Sequence, residues 1–302
     1  MRPLSDTVNP ETAAAVTTEL PLETARRAED YLREHDVVDP RLEAELILAS
    51  VLGVSRLRMY LDEDVPLDAS QLHRYQQLIE RRAKREPLQY IIGSTQFREI
   101  DLRCDPRALI PRPETEVLVG VALDWARARA GVSLRALDIG TGTGAIALSL
   151  LAERGVERAV ATDVSAEALA LAAENAQVLG LTDRLELRQG ALYEPIGADE
   201  RFDLIVSNPP YIADGERGSL PTEVADWEPD VALFAGSRGL DVIEPLVRGA
   251  RARLTRCGLL ALELTPGQAE EVADLARASS FKRVRIVNDL AGRARIVAAE
   301  ID

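Results

Sequence analysis

Through the first quarter of the chain, apolar residues recur every three or four positions, at Ala25, Ala28 and Leu32 and again at Leu42, Leu46, Ile47 and Leu52. That spacing lines one face of an α-helix. The punctuation agrees with it: Asp39-Pro40 reads as a helix start, Gly53 as a stop, and Asp68-Ala69-Ser70 opens another helix running toward Ile79. Residues 21–86 are therefore predicted to form a small helical domain, preceded by a disordered tail over 1–20. From Pro87 the pattern changes. Gln89-Tyr90-Ile91-Ile92 and Ile100-Asp101-Leu102-Arg103-Cys104 read as short extended runs separated by Gly93-Ser94-Thr95, which predicts a β-hairpin linker over 87–113. Pro111 and Pro113 then stiffen the chain and open a helix over 117–130.

Beyond Gly131, compact apolar runs at 134–139, 159–163, 185–188, 202–207 and 259–264 alternate with helical stretches at 146–153, 166–179, 240–254 and 268–278. Alternation of this kind predicts βαβ units around a mostly parallel sheet, an α/β domain over 114–302. Two closing runs, 284–287 and 294–299, predict an antiparallel edge.

Two loops at the ends of predicted strands carry candidate chemistry. In Leu137-Asp138-Ile139-Gly140-Thr141-Gly142-Thr143-Gly144 the glycines permit a sharp strand-to-helix turn and let a ligand approach the backbone. Asp163, closing the next strand, is placed to accept hydrogen bonds from ribose hydroxyls. A nucleoside cofactor fits both features, and because Gly140-x-Gly142-x-x-Ala145 also satisfies the looser dinucleotide fingerprint, this loop alone leaves a nicotinamide cofactor open.

The second loop is Asn208-Pro209-Pro210-Tyr211. A residue before proline is pushed out of helical geometry, and proline has no N–H, so the corner is stiff and poor in donors. The Asn208 side-chain oxygen and the Pro209 carbonyl can together receive both hydrogens of one NH2 group, with Tyr211 as a flat wall. Such a pair suits a weak nucleophile whose lone pair must be turned toward a methyl group and whose growing positive charge needs acceptors. The two loops together point to methyl transfer onto a planar nitrogen.

Composition narrows the partners. With 36 basic against 50 acidic residues the net charge is −14, which disfavours unaided binding to nucleic acid or an anionic membrane. Two cysteines, Cys104 and Cys257, give neither a disulfide framework nor a zinc cluster, and His35 and His73 sit without partner ligands, so no metal is expected and a reducing, cytoplasmic address is the simplest. No apolar run reaches membrane-spanning length.

At this point the residues resemble a known family, the HemK-type or PrmC-type protein-glutamine N5-methyltransferases, which modify the Gln of the Gly-Gly-Gln loop of bacterial peptide chain release factors. The resemblance covers the helical N-terminal region, Pro87 to Gly93 with Phe97, Ile110 to Glu116, both loops, and Asp289-Leu290-Ala291-Gly292 before Arg295. It implies a class I S-adenosylmethionine-dependent methyltransferase domain with a Rossmann-like seven-stranded sheet, and a helical domain that grips the release factor. It further implies that Gly140, Thr141, Gly142, Thr143, Gly144 and Asp163 bind S-adenosylmethionine, with Leu192 beside the adenine and Asn208 near the methionine end. Asn208, Pro209, Pro210 and Tyr211 would hold the substrate glutamine, Asn208 and Pro209 as the catalytic acceptors. Ala191 stands where such enzymes often carry an acidic residue, and Trp227 replaces a more usual Phe. The competing readings are an amino-methyltransferase acting on adenine or cytosine of DNA or RNA, which shares the acceptor loop, and a catalytically silent cofactor-binding module.

Overall fold

The computed structural model describes residues 18–302 other than 63 and 130, so 1–17 of the expected tail lie outside the described residues. The chain divides into two compact units, the first ending at Ile92 and the second running from Gly93 to Asp302.

The first unit contains α1 (Pro21–Glu34), α2 (Pro40–Leu52), α3 (Arg56–Leu61), α4 (Ala69–Ala83) and α5 (Leu88–Ile92). Their ends follow from local chemistry. Pro40 opens α2, and Gly53 closes it in the left-handed conformation that glycine adopts without strain. Asp68 and Gln71 form a reciprocal capping box at the start of α4, a device that stabilises a helix by about 1 kcal/mol. Leu32, Ile47, Leu48, Met59, Leu67 and Tyr75 fill the core, and the buried Tyr75 hydroxyl donates to the Ala44 carbonyl (3.1 Å).

Two expectations need correction here. Leu42 is 41% exposed, because α2 turns Ala44, Ile47 and Leu48 inward instead. The run at 89–92 is also not a strand: the Pro87 carbonyl accepts from the amides of Tyr90 and Ile91, which closes a helical turn, and Gly93 ends it at a positive φ. A single buried turn carries little of the crowding that keeps β-branched residues out of longer helices.

In the second unit the hairpin consists of β1 (Ser94–Phe97) and β2 (Ile100–Arg103), paired so that Arg98 and Glu99 form the turn. Phe97, Ile100 and Leu102 enter the core of this unit. Arg98 makes a two-pronged contact with Glu153 (2.6 and 2.8 Å). After α6 (Pro113–Arg127) come β3 (Arg135–Ile139), α7 (Ala145–Ala152), β4 (Arg158–Asp163), α8 (Ala166–Val178), β5 (Leu185–Gln189) and β6 (Phe202–Ser207). The short helices α9 (Thr222–Ala225) and α10 (Asp230–Leu233) follow, then α11 (Ile243–Ala250), β7 (Leu254–Glu263), α12 (Ala269–Ala278), β8 (Arg283–Asn288) and β9 (Ala294–Glu300).

The seven-stranded sheet has the order β5-β4-β3-β6-β7-β9-β8. The first five strands run parallel, and β9 is antiparallel to both of its neighbours. Strands β8 and β9 pair as expected, but β9 is inserted between β7 and β8, leaving only β8 at the edge. Both faces are buried, and the strands alternate between them. Ala136, Ala159, Ala161, Leu204, Val206 and Ala261 pack toward α6, α7 and the hairpin, while Leu137, Val160, Ile205, Leu260 and Leu262 pack toward α11 and α12. The chain winds outward from β3 to β5 and returns to β6 on the other side of β3. This reversal opens a crevice at the carboxyl ends of β3 and β6, the usual ligand position in such sheets. Among the described residues no helix is long and apolar enough to cross a membrane.

Candidate active site

The crevice holds a cavity of about 300 Å³. Its floor is the turn after β3, its wall the residues after β4 and β5, and its far side Asn208 and Pro210 after β6. Gly140, Gly142 and Gly144 all have positive φ, and a Cβ on Gly144 would come within 2.8 Å of Leu148 and 3.3 Å of Ala172. Asp163 straps the turn: its Oδ2 accepts from the Gly142 amide and its Oδ1 from the Ser165 amide (both 2.9 Å). Each carboxylate oxygen keeps a further lone pair for a ligand hydroxyl. Gly140, Thr141, Gly142, Thr143, Asp163, Leu192 and Asn208 all line the cavity, as does Ala191. Gly144 instead caps α7 beneath it. The Gly140, Gly142 and Gly144 amides donate within the protein, to the Thr162 carbonyl (2.8 Å), Asp163 Oδ2 and the Thr141 carbonyl (2.8 Å), so the turn offers a ligand close backbone approach beside the Asp163 carboxylate and the apolar wall at Leu192, a set suited to a nucleoside carrying hydroxyls.

Asn208 reaches the far side of this cavity. Its Nδ2 donates to Thr115 Oγ1 (3.1 Å), and Thr115 Oγ1 lies 2.7 Å from Glu263 Oε2. The Asn208 Oδ1 is buried and has no hydrogen-bond partner among the described residues. An unsatisfied buried acceptor costs about 1–3 kcal/mol, which makes it a reactive-site candidate. Pro209 is buried and Tyr211 half-buried; neither lines the cavity, and the Tyr211 hydroxyl points to Glu263 Oε1 (3.5 Å). Burial raises the pKa of that hydroxyl, so it remains a neutral phenol.

Several residues that sequence reasoning missed hold these loops. Asn175, fully buried on α8, donates to the carbonyls of Thr143 (2.9 Å) and Arg103 (3.2 Å) and accepts from the Arg103 amide (2.7 Å), tying the glycine turn to the hairpin. Gln268 Nε2 lies within donating distance of the carbonyls of Tyr211, Gly239 and Arg238 (3.0, 3.1 and 3.3 Å). The signal for Glu263 was present: it is the one acidic residue in an otherwise apolar strand run. Among the described residues no group of acidic, cysteine or histidine side chains is arranged to hold a metal.

Asp138 sits under the glycine turn with no exposure, accepting from Thr141 Oγ1 (2.7 Å) and the Ala147 amide (3.2 Å) through one oxygen. Burial pushes its carboxyl up to about 7. Its folded value therefore lies above its unfolded one, so its contribution to stability is fully present in acid and is lost as pH rises through about 7. Asp138→Asn should gain melting temperature relative to the parent as pH is raised from about 5 to about 8; a pH-independent difference in thermal melts would contradict this.

Comparison with known proteins places the chain. A family model described as the PrmC N-terminal domain matches residues 23–93, and one described as the methyltransferase small domain matches 122–223. Release factor glutamine methyltransferase of Geobacter sulfurreducens is 42% identical over 90% of this chain and 93% of its own length. The protein of the same description from Deinococcus radiodurans is 43% identical over 87% of this chain and 92% of its own length. Among solved structures, the hMettl16 catalytic domain in complex with MAT2A 3'UTR hairpin 6 superposes with a TM-score of 0.54 at 16% identity, covering 78% of this chain and 82% of that one. The T. thermophilus 16S rRNA N2 G1207 methyltransferase in complex with AdoMet and guanosine superposes with a TM-score of 0.52 at 20% identity, covering 69% of this chain and 50% of that one. These two likenesses establish the Rossmann-like methyltransferase fold, and the sequence identity across nine-tenths of the chain establishes more: the chain belongs to the family of release factor glutamine methyltransferases.

Proposed function

We infer that the protein transfers a methyl group from S-adenosylmethionine to the side-chain amide nitrogen of the Gln in the Gly-Gly-Gln loop of bacterial peptide chain release factors. The observation that carries this reading is that Asn208, whose buried Oδ1 has no hydrogen-bond partner among the described residues, lines the same cavity as the glycine turn. In this reading the cavity face of residues 140–143, the Asp163 carboxylate, Leu192 and Asn208 hold the cofactor. When bound, S-adenosylmethionine supplies an electrophilic methyl group on a sulfonium.

The chain's own residues then have one task, to present a poor nucleophile. An amide nitrogen shares its lone pair with the neighbouring carbonyl. Asn208 Oδ1 and the Pro209 carbonyl accept its two hydrogens, turn the lone pair out of conjugation, and stabilise positive charge as it grows on nitrogen. Tyr211, held through its carbonyl by Gln268 and through its hydroxyl by Glu263, keeps the acceptor corner in place. A strong base is unnecessary, since the proton leaves after the methyl group has moved.

Residues 21–86, the helical domain, serve release-factor recognition in this reading, with the hairpin region of 87–113 leading into the catalytic domain of 114–302. Remote contacts of that kind hold one amide in register. The reaction belongs in the cytoplasm, where translation terminates, and the net charge of −14 argues against direct binding to nucleic acid.

The test is label transfer from methyl-tritiated S-adenosylmethionine to a bacterial release factor, to the same factor with its Gly-Gly-Gln glutamine replaced, and to duplex DNA. Label confined to the unsubstituted factor is the expected result. Label on DNA would instead assign an amino-methyltransferase of nucleic acid, and cofactor binding without transfer would assign a silent module.

A further inference from the structure

Glu263 closes β7 with 1% exposure, inside a catalytic unit where most carboxylates reach water. Its two oxygens face two hydroxyls, Thr115 Oγ1 on α6 (2.7 Å) and Tyr211 Oη on the acceptor loop (3.5 Å). The charged groups around it are Arg295 on β9 and Glu114 on α6. The Arg295 cation is shared, lying 3.6 Å from Asp289, 4.0 Å from Glu114 and within 3.3 Å of the Leu264 carbonyl. Arg293 spans the same two carboxylates. Among the described residues Glu263 thus has no dedicated counter-ion; its shortest hydrogen bond is from the Thr115 hydroxyl, and beyond that hydroxyl lies Asn208.

We propose that the Glu263 carboxylate, acting through Thr115, is the positioning group that fixes which end of the Asn208 carboxamide faces the amide to be methylated. The inference rests on the reading of Asn208 given under Proposed function and extends it. An ionised carboxylate only accepts hydrogen bonds, so the Thr115 hydroxyl must donate to it. That leaves only a lone pair on Thr115 Oγ1 for Asn208, which must turn its NH2 toward Thr115 and keep its unpartnered Oδ1 on the other side. A charged terminus also polarises the chain and strengthens Oδ1 as an acceptor.

Protonation releases this constraint. A neutral Glu263 can donate to Thr115, the Thr115 hydroxyl can then donate to Asn208 Oδ1, and the carboxamide can reverse. The amide to be methylated would then meet an NH2 group in place of an acceptor. Burial pushes the Glu263 carboxyl up to about 7, so the reversal falls in an accessible range and turnover should rise with pH through it. Asp138 is also pushed up to about 7, so the difference between parent and variant carries the information, not the limb alone.

The experiment measures kcat for methylation of a release factor by the full chain between about pH 5.5 and 9, with thermal melts and S-adenosylmethionine affinity as controls. The variants are Glu263→Gln, Thr115→Val and Thr115→Ser. The parent should lose turnover as pH falls through about 7. Glu263→Gln and Thr115→Val should lower kcat at high pH and saturating cofactor on the order of tenfold, the effect of one charge-assisted hydrogen bond, and should flatten that limb. Thr115→Ser, which keeps the hydroxyl, should restore both rate and limb. A Glu263→Gln enzyme that keeps the parental limb and rate overturns the assignment, as does a Thr115→Val enzyme with the parental profile. Should Glu263→Gln fail to fold, the Ser and Val variants at 115 decide by the same criteria. A parent that methylates the factor while Glu263→Gln is unchanged removes only this inference; a parent that methylates no release factor at any pH removes the substrate reading and this inference with it.

Discussion

Asn208→Ala is expected to lower kcat for release-factor methylation by about 10²–10³-fold, the loss seen when one preorganised hydrogen-bonding partner of a charge-developing centre is removed. The fold should survive. Asn208 is half-buried, and among the described residues its side chain makes one hydrogen bond, 3.1 Å to Thr115, so the melting temperature should shift by roughly a few degrees. The measurement is single-turnover methyl transfer at saturating cofactor, because a rate measured below saturation would mix binding into the result. A variant that transfers methyl groups at the parental rate would show that the carboxamide does not hold the acceptor. The same substitution in a molecule whose Thr115 is already Val should cost less than the two single effects added together, since both act on one hydrogen-bond chain.

Gly239→Ala should be the most damaging change outside the cavity. Gly239 has φ +69°, and a Cβ there would lie 2.1 Å from the Tyr211 carbonyl oxygen and 2.7 Å from Gln268 Nε2. The first contact is with backbone, which cannot rotate aside as a side-chain tip would. Left-handed strain alone costs about 1–3 kcal/mol for a non-glycine residue, and the displaced carbonyl also loses its 3.0 Å bond from Gln268. We expect a loss on the order of 3 kcal/mol, or roughly 6–12 °C for a unit of this size. Methyl transfer should fall more steeply than stability, because Tyr211 follows directly on the acceptor prolines. Parental melting and activity together would show that the loop relaxes freely.

Much of this arrangement is legible along the chain because its chemistry is local. The run 202–207 is a strand over the bounds its apolar pattern predicts, since buried parallel strands leave continuous apolar segments. The glycine turn and the Asn-Pro-Pro corner announce themselves through backbone restrictions that belong to single residues. What supports them is not local. Thr115 is 93 residues from Asn208 and 148 from Glu263, and nothing in either neighbourhood says that the three form one chain. Gly239 reads as an ordinary loop glycine until the Tyr211 carbonyl is seen against it. The run 89–92 reads as extended because β-branched and aromatic residues dominate it, while its helical state is set by Pro87 and burial. The insertion of β9 between β7 and β8 likewise depends on pairing across the sheet, which no periodicity encodes.

The glycine turn and the acceptor corner hang from β3 and β6, which pair directly, Ala136 with Leu204 and Asp138 with Val206. Neighbouring strands stand about 4.8 Å apart whatever their sequence. The backbone anchors of the two loops are therefore held at sheet spacing, and the orientational freedom of those anchors is lost once, during folding, and not again at each turnover. The step that follows docking should accordingly show an activation entropy near zero, so that within the folded range its barrier stays nearly constant as temperature rises.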